Sequence, residues 1–289
     1  MTYEEAFLWG KGRLNSVEIE EASLDAMILL EEAFDIRKAW YFAHKEETVK
    51  ESAIKRYKAY IERRAQRVPL QHILGVQEFM GYPFLVNEEV LIPRSDTECL
   101  VEVIEGKKHL LNDVENNGIL DVCTGSGCIL LTLLSRSFCK TGVGLDISEK
   151  AIKVAKENAK NLKVDTRATF ICSDLFDKVE EQFSIVVSNP PYISSLEIEK
   201  LEPEVKDFEP RIALDGMVDG LHFYKRIVAE CPKVLKEGGW LFFEIGMEQA
   251  EDVSEIMRNG DFSNIEVHKD LSGKDRVVLG RRIKGEENV

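Results

Sequence analysis

Beyond Pro93, short apolar runs alternate with longer stretches of helical period, and few folds accommodate that alternation. The runs cover 118–122, 143–146, 168–172, 185–188 and 240–245, with helical spacers such as 151–161 between them. Runs this short and this apolar suit strands covered by helices on both faces, which predicts an α/β fold with a mostly parallel sheet. The end of the chain differs. Residues 265–269 and 276–279 are strand-like and are joined by Asp270-Leu271-Ser272-Gly273-Lys274, which predicts an antiparallel hairpin at one sheet edge.

The first quarter follows another rule. From Tyr3 to Leu74 apolar residues recur at helical spacing, for example Ala22, Met27, Leu30 and Phe34, then Ile54, Tyr57, Tyr60 and Ile61. No glycine falls between Gly12 and Gly75 and no proline before Pro69, so a small all-α domain is expected over 1–74. Helix starts are expected near Ser23–Asp25 and Thr48–Glu51. Residues 75–93 carry Val76, Phe79, Tyr82, Phe84 and Val86 punctuated by Gly81, Pro83 and Asn87, the pattern of a β-hairpin linker. The sheet domain would then occupy 94–289, ending in a frayed tail from Lys284.

Composition narrows the function classes. With 289 residues, 44% of them apolar, the chain can bury a full core. Its 38 basic against 52 acidic side chains, net −14, argue against a broad grip on phosphate backbones, so no direct nucleic-acid substrate is expected. The longest apolar stretches, such as 129–134, fall far short of the roughly 20 residues that cross a bilayer. The start, Met1-Thr2-Tyr3-Glu4-Glu5, carries no export signal, so a cytoplasmic protein without membrane partners is expected. Cys99, Cys123, Cys128, Cys139, Cys172 and Cys231 form no C-x-x-C pair and lack nearby histidines at ligand spacing, so reduced thiols and no metal centre are expected.

The chemistry collects where runs end. Ile119-Leu120-Asp121-Val122-Cys123-Thr124-Gly125-Ser126-Gly127 is a strand leading into a small-residue turn and a helix from Cys128. Such a turn lets a ligand approach the backbone and offers unpaired helix N–H groups, although a tight turn without a ligand would look alike. It lacks the Gly-Lys-Ser/Thr of a Walker loop, and Leu130 replaces the last glycine of G-x-G-x-x-G. About 20 residues on, Asp146 ends the next run, where a carboxylate can take both ribose hydroxyls of an adenosine-like ligand or cap the following helix. Asp174 and Leu175 end the third run, suited to an adenine amino group and ring face or, for Asp174, to a helix cap. Ser188-Asn189-Pro190-Pro191-Tyr192 is the sharpest signal. Two prolines fix the backbone and remove two donors, so the Asn189 side-chain oxygen and the Pro190 carbonyl can accept both N–H bonds of a planar NH2 group, with Tyr192 as an aromatic wall.

Taken in order, these motifs resemble the S-adenosylmethionine-dependent methyltransferases that modify planar amide or exocyclic amino nitrogens. Further segments are similar to one branch, the peptide chain release factor glutamine methyltransferases: the helical domain leading into Pro69-Leu70-Gln71-His72-Ile73-Leu74-Gly75, then 93–102, 208–216, Asp219-Gly220-Leu221 and 269–278. The resemblance implies a Rossmann-like class I methyltransferase with a mostly parallel seven-stranded sheet and an antiparallel edge hairpin. It implies methyl transfer from S-adenosylmethionine, leaving S-adenosylhomocysteine, to the Gly-Gly-Gln glutamine of release factors, an activity that tunes translation termination. The implied cofactor residues are Thr124, Gly125, Ser126, Gly127, Asp146, Asp174, Leu175 and Asn189, and the implied acceptor residues are Asn189, Pro190, Pro191 and Tyr192, of which Asn189, Pro190 and Tyr192 carry catalysis. Asp121 either holds the turn or reaches the methionine ammonium through water. The helical domain would dock the protein substrate, and the enzyme is expected to be a monomer. Cys123 stands where the family usually has glycine, harmless at an ordinary dihedral and strained at positive φ.

Overall fold

The computed structural model describes residues 1–110 and 118–283. The tail expected to fray, 284–289, lies outside the described residues. The chain forms two compact units, Met1–Val76 with Glu202–Phe208, and Gln77–Leu201 with Glu209–Val289.

The first unit is helical: α1 (Tyr3–Asn15), α2 (Ala22–Phe34), α3 (Lys38–His44), α4 (Glu51–Ala65) and α5 (Leu70–Leu74), with a helical turn at Pro203–Lys206. Leu14, Leu29, Leu30, Tyr57 and Ile61 are fully buried among them. A Cβ at Gly10 would lie 2.1 Å from Tyr57 Oη, so only glycine lets α1 meet α4 there. Buried Arg64 donates to Asp25 Oδ2 at 2.7 Å and to Glu204 Oε1 at 2.9 Å, which ties 202–208 into this unit. Both expected helix starts are present, α2 from Ala22 after Glu21 and α4 from Glu51 after Lys50, but neither cap residue makes a side-chain hydrogen bond. The side-chain cap is at α1, where Thr2 and Glu5 form a reciprocal capping box.

The second unit opens with a two-stranded sheet, β1 (Val76–Phe79) and β2 (Tyr82–Leu85). Phe79 and Phe84 are buried in one cluster with Ile119, Leu130 and Phe170, so 77–93 is part of this unit rather than a free linker. The main sheet has seven strands: β3 (Ile119–Val122), β4 (Gly142–Asp146), β5 (Ala168–Cys172), β6 (Phe183–Ser188), β7 (Leu235–Glu244), β8 (Phe262–Lys269) and β9 (Asp275–Arg282). Their order is β5-β4-β3-β6-β7-β9-β8, parallel from β5 to β7 and antiparallel from β7 to β8. The predicted edge hairpin is therefore present. Helices α6 (Ser95–Gly106), α7 (Cys128–Ser135), α8 (Glu149–Asn161), α9 (His222–Glu230) and α10 (Ala250–Asn259) accompany the strands. Every residue of β3 and β6 is buried, as a strand packed on both faces requires.

Register places the site. Val122 of β3 is level with Leu145 of β4 and Ser188 of β6, and Asp146 with Cys172 of β5, so these strands end along one edge. The chain runs outward from β3 to β5, then returns to β6 on the other side of β3, a topological switch at that edge.

Candidate active site

The turn after β3 is rigid because its polar groups are spent on one another. The Thr124 hydroxyl donates to Asp121 Oδ2 at 2.6 Å, the Gly127 N–H donates to the Thr124 carbonyl at 2.8 Å, and the Thr124 N–H reaches the Leu145 carbonyl. Gly127 has φ 82°, and a Cβ there would lie 2.9 Å from Leu131 Cδ1. Asn158 of α8 donates to the Ser126 carbonyl and pairs with both backbone groups of Leu85, binding the turn to β2. Asp121 is fully buried, and burial pushes its carboxyl up to about 7, partly offset by the Thr124 hydroxyl and the Leu130 N–H. Holding the turn is thus what Asp121 does here, while its Oδ1 has no hydrogen-bond partner in the protein.

A cavity of about 280 Å³ opens beside this turn. Of the expected cofactor residues it is lined by Gly125, Asp146, Asp174, Leu175 and Asn189; Thr124, Ser126 and Gly127 support its wall instead of lining it. Asp146 accepts from the Gly125 N–H and the Ser148 N–H, both at 2.9 Å, so its carboxylate is oriented by backbone at the cavity wall. Burial raises its pKa, with the N–H groups of Ser148, Gly125 and Ile147 opposing. Its expected cap role falls to Ser148, whose hydroxyl accepts from Ala151 N–H. No helix follows Asp174, which is ion-paired with Arg226 at 3.0 Å. Arg226, Phe223 and Leu91 also line the cavity, and nothing in their local sequence marks them. A Cβ at Gly125 would meet nothing within 4 Å, so the turn is open toward this space. An adenosine-bearing cofactor fits these residues: the Asp146 carboxylate at the end of β4, Asp174 beside Leu175, and an open glycine.

Asn189 and Pro191 line the cavity; Pro190 and Tyr192 do not. Asn189 Nδ2 donates to Thr97 Oγ1 at 3.3 Å, which commits its amide and presents Oδ1 as the acceptor. Tyr192 is held at both ends, its hydroxyl 3.4 Å from Glu244 Oε1 and its carbonyl accepting from Gln249 Nε2 at 3.1 Å. Ser188 Oγ donates to the Val122 carbonyl at 2.7 Å, pinning β6 to β3 just before the motif. The 208–216 segment packs under it: Ile193 and Asp215 form a parallel bridge, and a Cβ at Gly216 would lie 2.8 Å from Tyr192 Cα. Buried Glu209 pairs with Arg94 and accepts from the Ile92 N–H, joining the 93–102 and 208–216 segments. Among the described residues no group of His, Cys, Asp and Glu has the arrangement of a metal site, and no helix is long and apolar enough to cross a membrane.

Comparison with known proteins agrees in both units. Residues 5–75 match the PrmC N-terminal domain and 97–202 the Methyltransferase small domain. A release factor glutamine methyltransferase from Clostridium acetobutylicum is 42% identical over 264 residues, covering 89% of this chain and 90% of that one. Another, from Fusobacterium nucleatum, is 46% identical over 228 residues, covering 78% of this chain; this chain spans 63% of that longer relative. Among solved structures, a methyltransferase from Pyrococcus furiosus superimposes with TM-score 0.50 at 13% identity, over 77% of this chain and all 100% of that one, a likeness of fold alone. The chain belongs to the release factor glutamine methyltransferases, enzymes that methylate a protein glutamine at its side-chain nitrogen.

Proposed function

We propose that the cavity binds S-adenosylmethionine and that the acceptor is the glutamine of the Gly-Gly-Gln motif of a release factor, so that the enzyme tunes translation termination. The observation that carries this reading is the commitment of the Asn189 amide: with Nδ2 held by Thr97, Oδ1 at the cavity is an acceptor, the complement of an NH2 group.

When bound, S-adenosylmethionine supplies an electron-poor methyl group on a sulfonium. The residues of this chain supply the rest. Asp146 accepts ribose hydroxyls, Leu175 covers the adenine, and Asp174, paired with Arg226, lies at the adenine end. Asp121 holds the turn beneath the cofactor through the Thr124 hydroxyl. An amide nitrogen is a poor nucleophile because its lone pair is delocalised into the carbonyl. Asn189 Oδ1 and the Pro190 carbonyl each accept one N–H, which turns the nitrogen toward the methyl and stabilises positive charge as it develops there. Tyr192 packs the glutamine stem, and the surplus proton departs to solvent during or after transfer.

The test is mass spectrometry of a purified release factor incubated with this protein and S-adenosylmethionine, with a Gln-to-Ala release factor as control. One methyl on the Gly-Gly-Gln glutamine, absent from the control and lost with Asn189→Ala, is expected. Methylation of DNA or RNA in a parallel tube, with none on the release factor, would overturn the substrate while keeping the amino-group chemistry.

A further inference from the structure

The Asn-Pro-Pro-Tyr segment is held from its two ends. Pro190 and Pro191 have no N–H, so the residues that aim the Pro190 carbonyl donate no hydrogen bond of their own. The near end is tied by Ser188 Oγ to the Val122 carbonyl at 2.7 Å and by Asn189 Nδ2 to Thr97 Oγ1 at 3.3 Å. The far end meets a side chain from the exit of another strand. Gln249, the residue before α10, donates from Nε2 to the Tyr192 carbonyl at 3.1 Å and to the Gly220 carbonyl at 3.4 Å, while its Oε1 accepts from the Gly246 N–H at 2.9 Å. One amide thus joins the loop after β6, the loop before α9 and the turn after β7. Two of its partners are glycines that leave room for it: a Cβ at Gly220 would lie 2.8 Å from Gln249 Nε2, and one at Gly246 would lie 2.9 Å from Oε1.

We propose that Gln249 is a positioning residue for methyl transfer, fixing the far end of the Asn-Pro-Pro-Tyr segment and with it the direction of the Pro190 carbonyl. This rests on the reading of Asn189 and Pro190 as the acceptors of the substrate amide. The polarity of the contact is set because these three partners are backbone groups. The Gly246 N–H can only donate, so it takes Oε1; the Tyr192 and Gly220 carbonyls can only accept, so they take Nε2. Two carbonyls aimed at one point repel each other unless a donor stands between them, and Nε2 is that donor. Without it the Tyr192 carbonyl turns away and Tyr192 shifts. The rings of Pro190 and Pro191 fix φ at both residues, so few torsions are left to absorb that shift before it reaches the Pro190 carbonyl. Gln249 does not line the cofactor cavity, so its influence on the reaction runs through Tyr192 and not through the cofactor.

The test is steady-state kinetics of the full-length protein with a purified release factor and S-adenosylmethionine, beside calorimetric titration of S-adenosylmethionine. Two variants divide the amide into its halves. Gln249→Met keeps the length and removes every hydrogen bond. Gln249→Glu keeps the acceptor for the Gly246 N–H, places a carboxylate at a helix start where it is tolerated, and removes the donor once ionised, at about pH 8.5. Both are expected to lower kcat about 10- to 100-fold, the scale of a misplaced reacting group. The KM for the release factor and the affinity for S-adenosylmethionine should each stay within about threefold, because one glutamine amide is a small part of a protein interface and Gln249 lies off the cavity wall. Turnover of Gln249→Glu within about threefold of the parent would overturn the proposal, since the accepting half would then suffice. So would a loss of cofactor affinity as large as the loss of kcat, which would mean a general loosening of the sheet edge. Should Gln249→Met fail to fold, Gln249→Glu decides by itself. Asn189→Ala distinguishes the levels: if it abolishes turnover while the Gln249 variants keep theirs, only the positioning role is wrong. If Asn189→Ala turns over normally, the acceptor reading falls and the positioning role with it.

Discussion

Cys123 has φ 62°, the left-handed region in which a side chain is strained by about 1–2 kcal/mol, so the glycine usual in this family is the unstrained choice. Replacing it with glycine relieves that strain but raises the entropy of the unfolded chain, at about 0.4–1 kcal/mol, and gives up a thiol packed against the second core cluster. The terms nearly offset. Cys123→Gly is expected to move the melting temperature by only a few degrees, whereas the β-branched Cys123→Val should lose about 1–3 kcal/mol, both read by thermal unfolding. Asp121 gives a pH signature. Its carboxyl ionises near its usual 3.8 when unfolded and at about 7 when folded, so the folded state holds the proton more tightly between those limits. A raised pKa of this kind gives stability that is complete below about pH 4 and is lost as pH rises through about 7. Asp121→Asn keeps an acceptor for Thr124 and cannot ionise; its stability relative to the parent should increase from pH 5 to pH 8, measured by denaturant titration at each pH. A constant difference across that range would show that Asp121 is not the titrating group.

Between β6 and α9 the chain makes a loop whose glycines are set by Tyr192. At Gly220, φ is 70° and a Cβ would lie 2.4 Å from the Tyr192 carbonyl; at Gly216 a Cβ would lie 2.8 Å from Tyr192 Cα. Both obstacles are backbone, which cannot rotate away. Gly216→Ala should therefore push the Asn-Pro-Pro-Tyr backbone and lower kcat by about 100-fold, with far-ultraviolet circular dichroism unchanged, because a shift near 1 Å at a reacting group is enough. How much of this was legible follows from range. The parallel strands, the edge hairpin, the β3 turn and the Asn-Pro-Pro-Tyr segment are written in consecutive residues, since each is a local pattern of burial or backbone restriction. β7 is longer than its apolar core suggests: it starts at Leu235, because Lys236, Glu237 and the glycines 238 and 239 read as a turn although Leu235 pairs with Phe183. Arg226 at the cavity, the Glu209–Arg94 pair and the Asn189–Thr97 hydrogen bond join residues far apart in sequence, and no periodicity announces such pairings.

The chain leaves the sheet-bearing unit after Leu201, gives seven residues, 202–208, to the helical unit and returns at Glu209. The helical unit is therefore closed by a segment that comes from the middle of the sequence. Glu204 is the fastening: its Oε1 accepts from Arg64 at 2.9 Å and from Arg67 at 3.3 Å, with only 18% of its side chain exposed. Burial this deep makes the contact worth more than a surface ion pair, because neither partner can recover full hydration once the other is gone. Glu204→Gln keeps one acceptor and removes the charge, leaving Asp25 as the one carboxylate paired with Arg64, and should cost the helical unit about 1–3 kcal/mol. The consequences should separate by unit. The cavity is lined wholly by residues of the sheet-bearing unit, so S-adenosylmethionine affinity measured by calorimetry should stay within about twofold of the parent. If the helical unit docks the release factor, as its proposed role requires, the KM for that substrate should rise several-fold with kcat little changed, the pattern of lost uniform binding. An unchanged KM alongside the expected loss of stability would assign the helical unit to holding the fold and leave docking to the sheet-bearing unit alone.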